Sequence, residues 1–208
     1  EAKMTNGSSQ IMLAVRSGKA IRFEEEKVRS MGRTAAGVRG IRLKDDKDEV
    51  IGMICINDSE SSVLVVAENG YGKRSAVDAY RITNRGGKGV KTINVTEKTG
   101  NLIALKNVTD EEDLMVINKS GVTIRIRVDD LREMGRATQG VKIIRLKDDD
   151  SIASVAKVSR FEAEGEGEVL LDEEGNVIET PQDIAKETPS EEDIDTNDDS
   201  TNETEENN

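Results

Sequence analysis

The sequence predicts an all-β fold built from propeller-like blades of about fifty residues each. A Gly/Arg-rich segment occurs three times, with arginines Arg33, Arg85 and Arg136 spaced by 52 and then 51 residues. The same two spacings separate three turn signals of two residues each, which are Ser17-Gly18, Asn69-Gly70 and Ser120-Gly121. Two features that share one period indicate internal repeats, as in propellers and solenoids.

Within each repeat, apolar and polar residues alternate as they do in half-buried strands. In residues 122–128 this places Ile124 and Ile126 on one face and Arg125 and Arg127 on the other. Each repeat is predicted to contain a first strand, the turn, a second strand, the Gly/Arg segment, a third strand, an acidic turn and a fourth strand. First strands are predicted at 11–15, 63–67 and 114–118, third strands at 38–43, 90–95 and 141–146, and the best short helix at 24–31.

Charge divides the chain into two parts. Residues 161–208 contain 19 Asp and Glu against one Lys, whereas residues 1–160 contain 29 Lys and Arg against 23 Asp and Glu. Because the acidic part also has little apolar surface to bury, we predict a disordered acidic tail at 161–208. Residues 1–160 are predicted to form a partial ring with repeats at about 9–58, 61–108 and 113–158. No transmembrane or signal-peptide pattern is present, so a cytoplasmic location is expected.

The basic part of the chain is expected to bind nucleic acid. In the Gly/Arg segments, glycine allows close backbone approach and arginine binds phosphate oxygens, although turn glycines beside solvated charges would explain the motif equally well. Basic loops at a fixed step would suit the phosphates of a bent duplex. The candidate DNA-binding residues of these segments are Arg33, Arg39, Arg85, Gly86, Gly87, Lys88, Gly89, Lys91, Arg136 and Lys142.

Three arginines at equivalent strand positions complete the candidate set. Arg22, Arg74 and Arg125 favour phosphate binding when taken together, although each one alone is better explained as part of a solvent-facing strand. Aromatic residues form only 2% of the chain and Trp is absent, so base-stacking platforms for single strands are not expected. The predicted partner is therefore double-stranded DNA, bound largely without regard to sequence.

Catalytic and metal sites are not predicted. The chain lacks His, which is the commonest general base and metal ligand. Acidic clusters at 45–48 and 148–150 fall at equivalent turns without EF-hand spacing, so they are interpreted as structural turns. Tyr71 and Tyr80 are interpreted as packing residues.

The run from Tyr80-Arg81 through Asn84-Arg85-Gly86-Gly87-Lys88-Gly89-Val90, with the repeat period and the acidic tail, resembles the gyrase A C-terminal domain family. The resemblance covers nearly all of residues 1–160 and implies a β-pinwheel that wraps DNA. Residues 83–89 look like a degenerate form of the family's Gln-Arg-Arg-Gly-Gly-Lys-Gly box, with Thr83 and Asn84 in place of the first two residues. An intact box is then expected upstream of Glu1. The degenerate box leaves the related tail domain of topoisomerase IV as an alternative.

The resemblance implies a non-catalytic part of a type IIA topoisomerase, DNA gyrase, that introduces negative supercoils with ATP hydrolysis. ATP and Mg²⁺ would be bound elsewhere in the parent complex, and no cofactor is expected in this chain. The implied partners are the rest of the gyrase A polypeptide and the gyrase B polypeptide, in a heterotetramer. Neither Tyr71 nor Tyr80 matches the family's nucleophile. The residues themselves also allow a protein-interaction propeller, although basic residues in register on every repeat favour a periodic polyanion.

Overall fold

The computed structural model describes residues 1–57, 60–147 and 150–160. The predicted acidic tail at 161–208 lies outside the described residues. The chain folds into antiparallel sheets, which confirms the predicted all-β class, and in the described part no helix is long and apolar enough to cross a membrane. The strands are β1 (Gln10–Val15), β2 (Lys19–Glu24), β3 (Val50–Ile56), β4 (Ser62–Ala67), β5 (Tyr71–Ala76), β6 (Val90–Lys91), β7 (Leu102–Val108), β8 (Glu112–Asn118), β9 (Thr123–Arg127), β10 (Val141–Lys142) and β11 (Ile152–Ser159).

Three antiparallel hairpins form the centres of the three sheets. β1 pairs with β2, β4 with β5, and β8 with β9. The predicted first strands are confirmed, and they begin one or two residues earlier than expected. The turns form at the predicted dipeptides, because Gly18, Gly70 and Gly121 have φ angles of 80°, 81° and 87°, a conformation that glycine adopts without strain. Of the helix predicted at 24–31, only a 3₁₀ turn at Glu25–Lys27 forms.

The third strands of the second and third repeats belong to the sheet of the preceding repeat. β6, from the second repeat, pairs with β2, and β10, from the third repeat, pairs with β5. The first two sheets therefore have the orders β3-β1-β2-β6 and β10-β5-β4-β7. The strands predicted within one repeat therefore do not all belong to the same sheet. The predicted third strands at 90–95 and 141–146 shorten to two residues each, and 38–43 forms no strand.

These third strands are short because the chain turns around the hairpin of the preceding repeat. The N–H groups of Thr92 and Ile93 both donate to the carbonyl of Gly18, at 2.9 and 3.3 Å. The equivalent two residues of the third repeat make the same pair of hydrogen bonds with Gly70. Residues 38–43 have no earlier second strand to pair with among the described residues, and they form no strand.

Two apolar cores lie between the sheets. The core between the first and second sheets includes Met12, Val65 and Tyr80, and the core between the second and third includes Leu64 and Val116. β3 packs against β7, and β7 packs against β11, so the three sheets approach one another along one edge. We call this the inner edge. The opposite edge, formed by β6, β10 and the free side of β9, is the outer edge.

The third sheet has the order β11-β8-β9, and no described strand pairs with the free side of β9. In the first two sheets the corresponding position is filled. A Cβ on Gly18 would meet Val95 Cγ2 at 2.6 Å, and one on Gly70 would meet the carbonyl oxygen of Ile144 at 2.5 Å. A Cβ on Gly121 would meet no atom within 4 Å. No described residue therefore occupies, beside β9, the place that the following repeat takes in the first two sheets.

Candidate nucleic-acid interface

A basic side chain recurs at the start of each third strand. Arg39, Lys91 and Lys142 occupy equivalent positions, and all three are exposed. Lys91 and Lys142 lie in β6 and β10, which places them on the outer edge. The ammonium of Lys91 donates to Asn94 Oδ1 at 3.2 Å, so it stays at the surface. Lys91 and Lys142 can therefore reach a ligand that follows the outer edge, and Arg39 is exposed at the equivalent position of the first repeat.

The repeated arginines Arg85 and Arg136 hold the preceding repeat. Arg85 donates from Nε to the carbonyl of Lys27 at 2.8 Å and from Nη1 to the carbonyl of Arg39 at 3.1 Å. Arg136 donates from Nη1 to the carbonyl of Lys91 at 3.0 Å. Each guanidinium thus fixes the backbone from which the basic side chain of the preceding repeat projects. Sequence reasoning assigned both arginines to phosphate, but their observed hydrogen bonds are contacts between repeats. The exposed side chain of Arg33 makes no such contact with the described residues.

The glycines of the Gly/Arg segments allow close approach to a neighbouring strand. Gly89 has a φ of 70°, and a Cβ there would lie 2.5 Å from the carbonyl oxygen of Ala20 in β2. The N–H of Gly86 donates to the carbonyl of Gly40 in the preceding repeat. The close approach expected for a ligand is therefore made to protein backbone. Gly87 is partly exposed and Lys88 is exposed beside them, so this loop still presents a cation to solvent.

Arg22 is an interior contact between repeats. Its side chain is only 9% exposed, and its Nη1 donates to the carbonyls of Val77 and Tyr80 at 2.8 and 3.0 Å. Its Nε donates to Gln10 Oε1 at 2.7 Å. A buried guanidinium is stable only when its donors find acceptors, and the second repeat supplies two of them. This candidate therefore does not belong to the exposed basic surface, a correction that alternation along the strand could not give.

The other two strand arginines are neutralised by carboxylates. Arg74, whose side chain is 14% exposed, forms an ion pair with Asp110. Arg125 is more exposed, and its Nε donates to Asp113 Oδ2 at 2.6 Å. Phosphate would have to compete with these carboxylates for the guanidinium groups. The structure thus places both candidates in intramolecular ion pairs.

A second exposed set of arginines was missed by the sequence reasoning. Arg29, Arg81 and Arg132 are spaced by 52 and then 51 residues, and each is exposed. Their guanidinium groups make no hydrogen bond or ion pair with any residue that the structure describes. The repeat period alone could have identified them, because they lie four residues before Arg33, Arg85 and Arg136. Of the recurring sets of cations, these three make the fewest hydrogen bonds and ion pairs with the described residues.

Arg81 also lines a cleft beside the Gly/Arg loop of the second repeat. The cleft has a volume of about 210 Å³, and Lys88 and Gly89 lie on its wall. Thr83 and Asn84, the two residues that depart from the family's box, line it as well. Two cations and loop backbone at one concave surface are suited to an anionic ligand.

The acidic turn of the first repeat is a structural turn, as predicted. The carboxylate of Asp48 accepts hydrogen bonds from the N–H groups of Ser17, Lys44 and Glu49 and from the Ser17 hydroxyl. Burial acts to raise the pKa of Asp48, but these hydrogen bonds hold it below its ordinary value. No group of three or more acidic, His or Cys side chains is placed to hold a metal in the described ranges. Of the second cluster, 148–149 lies outside them.

Both tyrosines pack in the first core, as predicted. The Tyr80 hydroxyl shares a 2.6 Å hydrogen bond with the Thr92 hydroxyl. The ammonium groups of Lys98 and Lys142 lie 5.5 and 5.9 Å from the centre of the Tyr71 ring, within the range of cation–π attraction. Tyr71 thus supports two lysines near the outer edge.

Sequence comparison identifies one family over most of the chain. The sequence model of the DNA gyrase C-terminal domain, beta-propeller, matches residues 10–57, 61–109 and 112–159. The DNA gyrase A protein of Staphylococcus aureus (strain MRSA252) is 47% identical over 178 residues, which are 85% of this chain and 20% of the relative. The DNA gyrase A protein of Staphylococcus epidermidis (strain ATCC 12228) is 48% identical over 158 residues, 76% of this chain and 18% of the relative. The chain spans about a fifth of the length of the curated relatives it matches.

The fold is similar to two solved structures. The C-terminal domain of DNA topoisomerase IV aligns with a TM-score of 0.70 and 24% identity, over 74% of this chain and 48% of that chain. The DNA gyrase A C-terminal domain aligns with a TM-score of 0.67 and 25% identity, over 74% of this chain and 52% of that chain. At 24% identity, the first likeness establishes the fold alone.

Proposed function

The chain belongs to the DNA gyrase C-terminal domain family, and on this basis we propose that it is a DNA-binding and DNA-wrapping part of a type IIA topoisomerase. The observation that carries the proposal is the recurrence of two exposed cations in every repeat. One set contains Arg29, Arg81 and Arg132, and the other contains Arg39, Lys91 and Lys142.

This arrangement suits the backbone of a bent duplex. Phosphates follow one another at a fixed spacing along DNA, and cations on successive repeats match such a ligand better than a single irregular patch does. Binding through phosphates carries no sequence information, so recognition should be largely independent of sequence. The two Gly/Arg-loop arginines, Arg85 and Arg136, contribute by fixing the backbone of Arg39 and Lys91.

In the parent protein we assign this part to gyrase. Wrapping a DNA segment with positive handedness would present it for passage, so that the whole enzyme introduces negative supercoils with ATP hydrolysis. ATP and Mg²⁺ would act elsewhere in a complex of the gyrase A and gyrase B polypeptides, a heterotetramer in the cytoplasm. The sequence relatives favour gyrase over the alternative, the tail domain of topoisomerase IV, because both are named as gyrase A proteins.

Wrapping can be tested by the change in linking number. When relaxed circular DNA is incubated with the chain and a type I topoisomerase and then freed of protein, we expect positively supercoiled circles, because each wrap is trapped as a topological change. Replacing Arg29, Arg81 and Arg132 together with Ala should remove most of this shift.

A matched control removes the same charge from ion-paired positions. Arg16, Arg127 and Lys157 each pair with nearby carboxylates, so changing these three to Ala should leave the linking shift nearly intact. Unchanged linking number with the wild-type chain, or equal loss in both triple variants, would count against wrapping by the exposed arginines.

The acidic segment 161–208 is expected to limit access of DNA to the basic surface. Because this segment is covalently attached to residues 1–160, its net charge of −18 would have an effective concentration of about millimolar near them. Screening over about 8 Å at physiological salt should weaken this competition as ionic strength rises. Truncation after Arg160 should therefore tighten DNA binding several-fold at low salt, with a smaller gain at high salt. Equal affinities of the full and truncated chains at low salt would refute the competition.

A further inference from the structure

Lys73 is a fully buried lysine in the middle of β5. It lies opposite Val65 of β4, on the face that packs into the first core. The spacing of the repeats gives Ile21 and Ile124 as its equivalents, so the other two repeats place an apolar side chain there. Burying an ammonium is costly unless it is hydrogen-bonded. A lysine at a position that is apolar in the other two repeats therefore needs a hydrogen-bond acceptor.

That contact is with the Gly/Arg loop of the third repeat. The Lys73 ammonium donates to the carbonyl of Gly135. The same carbonyl accepts the N–H and the hydroxyl of Thr138, at 3.2 and 2.9 Å, so it is the centre of the loop's own turn. At the other end of the loop, Val141 pairs with Gly72, the residue next to Lys73. β5 therefore holds the loop at both its beginning and its end.

The lowered pKa of Lys73 reflects the cost of burying its ammonium. Burial, and to a smaller extent the charge of Arg136, lowers the pKa of Lys73 to about 8. Arg136 in turn directs its guanidinium to the carbonyl of Lys91, in the sheet of the first repeat. The loop is thus held to the second repeat by Lys73 and to the first sheet by Arg136.

We propose that Lys73 is a positioning residue for the DNA contacts of the third repeat, acting through its hydrogen bond to Gly135. The loop it holds leads from exposed Arg132 to exposed Lys142, the two cations that the third repeat offers to phosphate. Fixing the loop sets the distance between these cations in advance, so less conformational entropy is lost when DNA binds. The inference rests on the proposed DNA binding.

The test replaces Lys73 with the residue that the chain itself uses at this position. Lys73→Ile should fold, because the first and third repeats carry Ile there, and an apolar side chain of similar size often replaces a buried charge without loss of stability. With a duplex of random sequence, its affinity should fall about threefold to tenfold. The slope of log affinity against log salt should become smaller in magnitude by about 0.9, which corresponds to the loss of one phosphate contact. Amide hydrogen exchange should rise at residues 135–140 and stay unchanged in β1 and β8.

The control is Lys157→Ile, which removes the same charge from the inner edge, where Lys157 pairs with Glu112. Wild-type affinity, salt slope and loop exchange in Lys73→Ile would overturn the inference, as would an equal loss in Lys157→Ile. If Lys73→Ile fails to fold, the unbranched Lys73→Met is measured by the same criteria. Absence of DNA binding by the wild-type chain would instead reject the proposed function.

Discussion

The affinity of the chain for duplex DNA should fall by about three orders of magnitude between 50 and 200 mM salt. The expectation follows from six exposed recurring cations, two in each repeat. Each phosphate that a cation neutralises releases condensed counterions, which contributes about −0.9 to the slope of log affinity against log salt. Six such contacts give a slope of about −5, which a fluorescence titration at several salt concentrations can measure.

Removing one set of cations should reduce this slope by half. In the variant with Ala at Arg29, Arg81 and Arg132, about three phosphate contacts remain, so the slope should be about −3. The control with Ala at Arg16, Arg127 and Lys157 should keep the wild-type slope, because these cations are already paired with carboxylates. A wild-type slope near zero would exclude phosphate binding as the main source of affinity. The chain truncated after Arg160 should show a steeper slope, since its affinity gain is largest at low salt.

Gly140→Ala should destabilise the fold by about 2–5 kcal/mol, because two costs add. The φ of Gly140 is 79°, where a residue with a Cβ is strained by about 1–2 kcal/mol. The new Cβ would also lie 2.5 Å from the carbonyl oxygen of Gly72, in the preceding repeat. Relieving a clash with backbone in a packed region costs about 1–3 kcal/mol more. Urea unfolding followed by circular dichroism measures the change.

The chain contains a control that separates the two costs. Gly37 is the equivalent residue of the first repeat and has a φ of 81°, but a Cβ there would meet no atom within 4 Å. Gly37→Ala should therefore cost only the backbone strain, about 1–2 kcal/mol. If both variants lose the same stability, the close approach of Gly140 to the preceding repeat does not contribute to the fold. Gly89→Ala should behave like Gly140→Ala, because its Cβ would meet Ala20 in the same way.

The hairpins could be predicted from the sequence because their signals are local. Alternation of apolar residues sets the two faces of a strand, and a glycine such as Gly70 marks the turn at which the chain reverses. The partner of the third strand could not be predicted in this way. Val90-Lys91 has the same residue pattern whether it pairs within its own repeat or with β2, since strand pairing uses backbone groups that every residue carries.

The exposed basic surface was predicted only in part, for a related reason. The repeat period selected Lys91 and Lys142, which are exposed, but it also selected Arg22, which is buried. An arginine in a repeated motif has the same spacing whether its guanidinium faces water or a carbonyl of the next repeat. Only the folded structure shows that the carbonyls of Val77 and Tyr80 accept hydrogen bonds from the Arg22 side chain. Arg81 belongs to a set of arginines with the same spacing, yet its guanidinium makes no hydrogen bond or ion pair with the described residues.

Because the first two sheets each take a strand from the following repeat, they are completed one after the other during synthesis. The hairpin of β1 and β2 leaves the ribosome well before Lys91, yet the first sheet gains its fourth strand only from Val90 and Lys91. The second sheet likewise waits for Val141 and Lys142. A nascent chain therefore always carries one unfinished sheet, and that sheet moves towards the C-terminus as each new repeat emerges. We expect folding during translation to lag one repeat behind elongation, with the exposed edge of the newest hairpin as the part most open to wrong pairing.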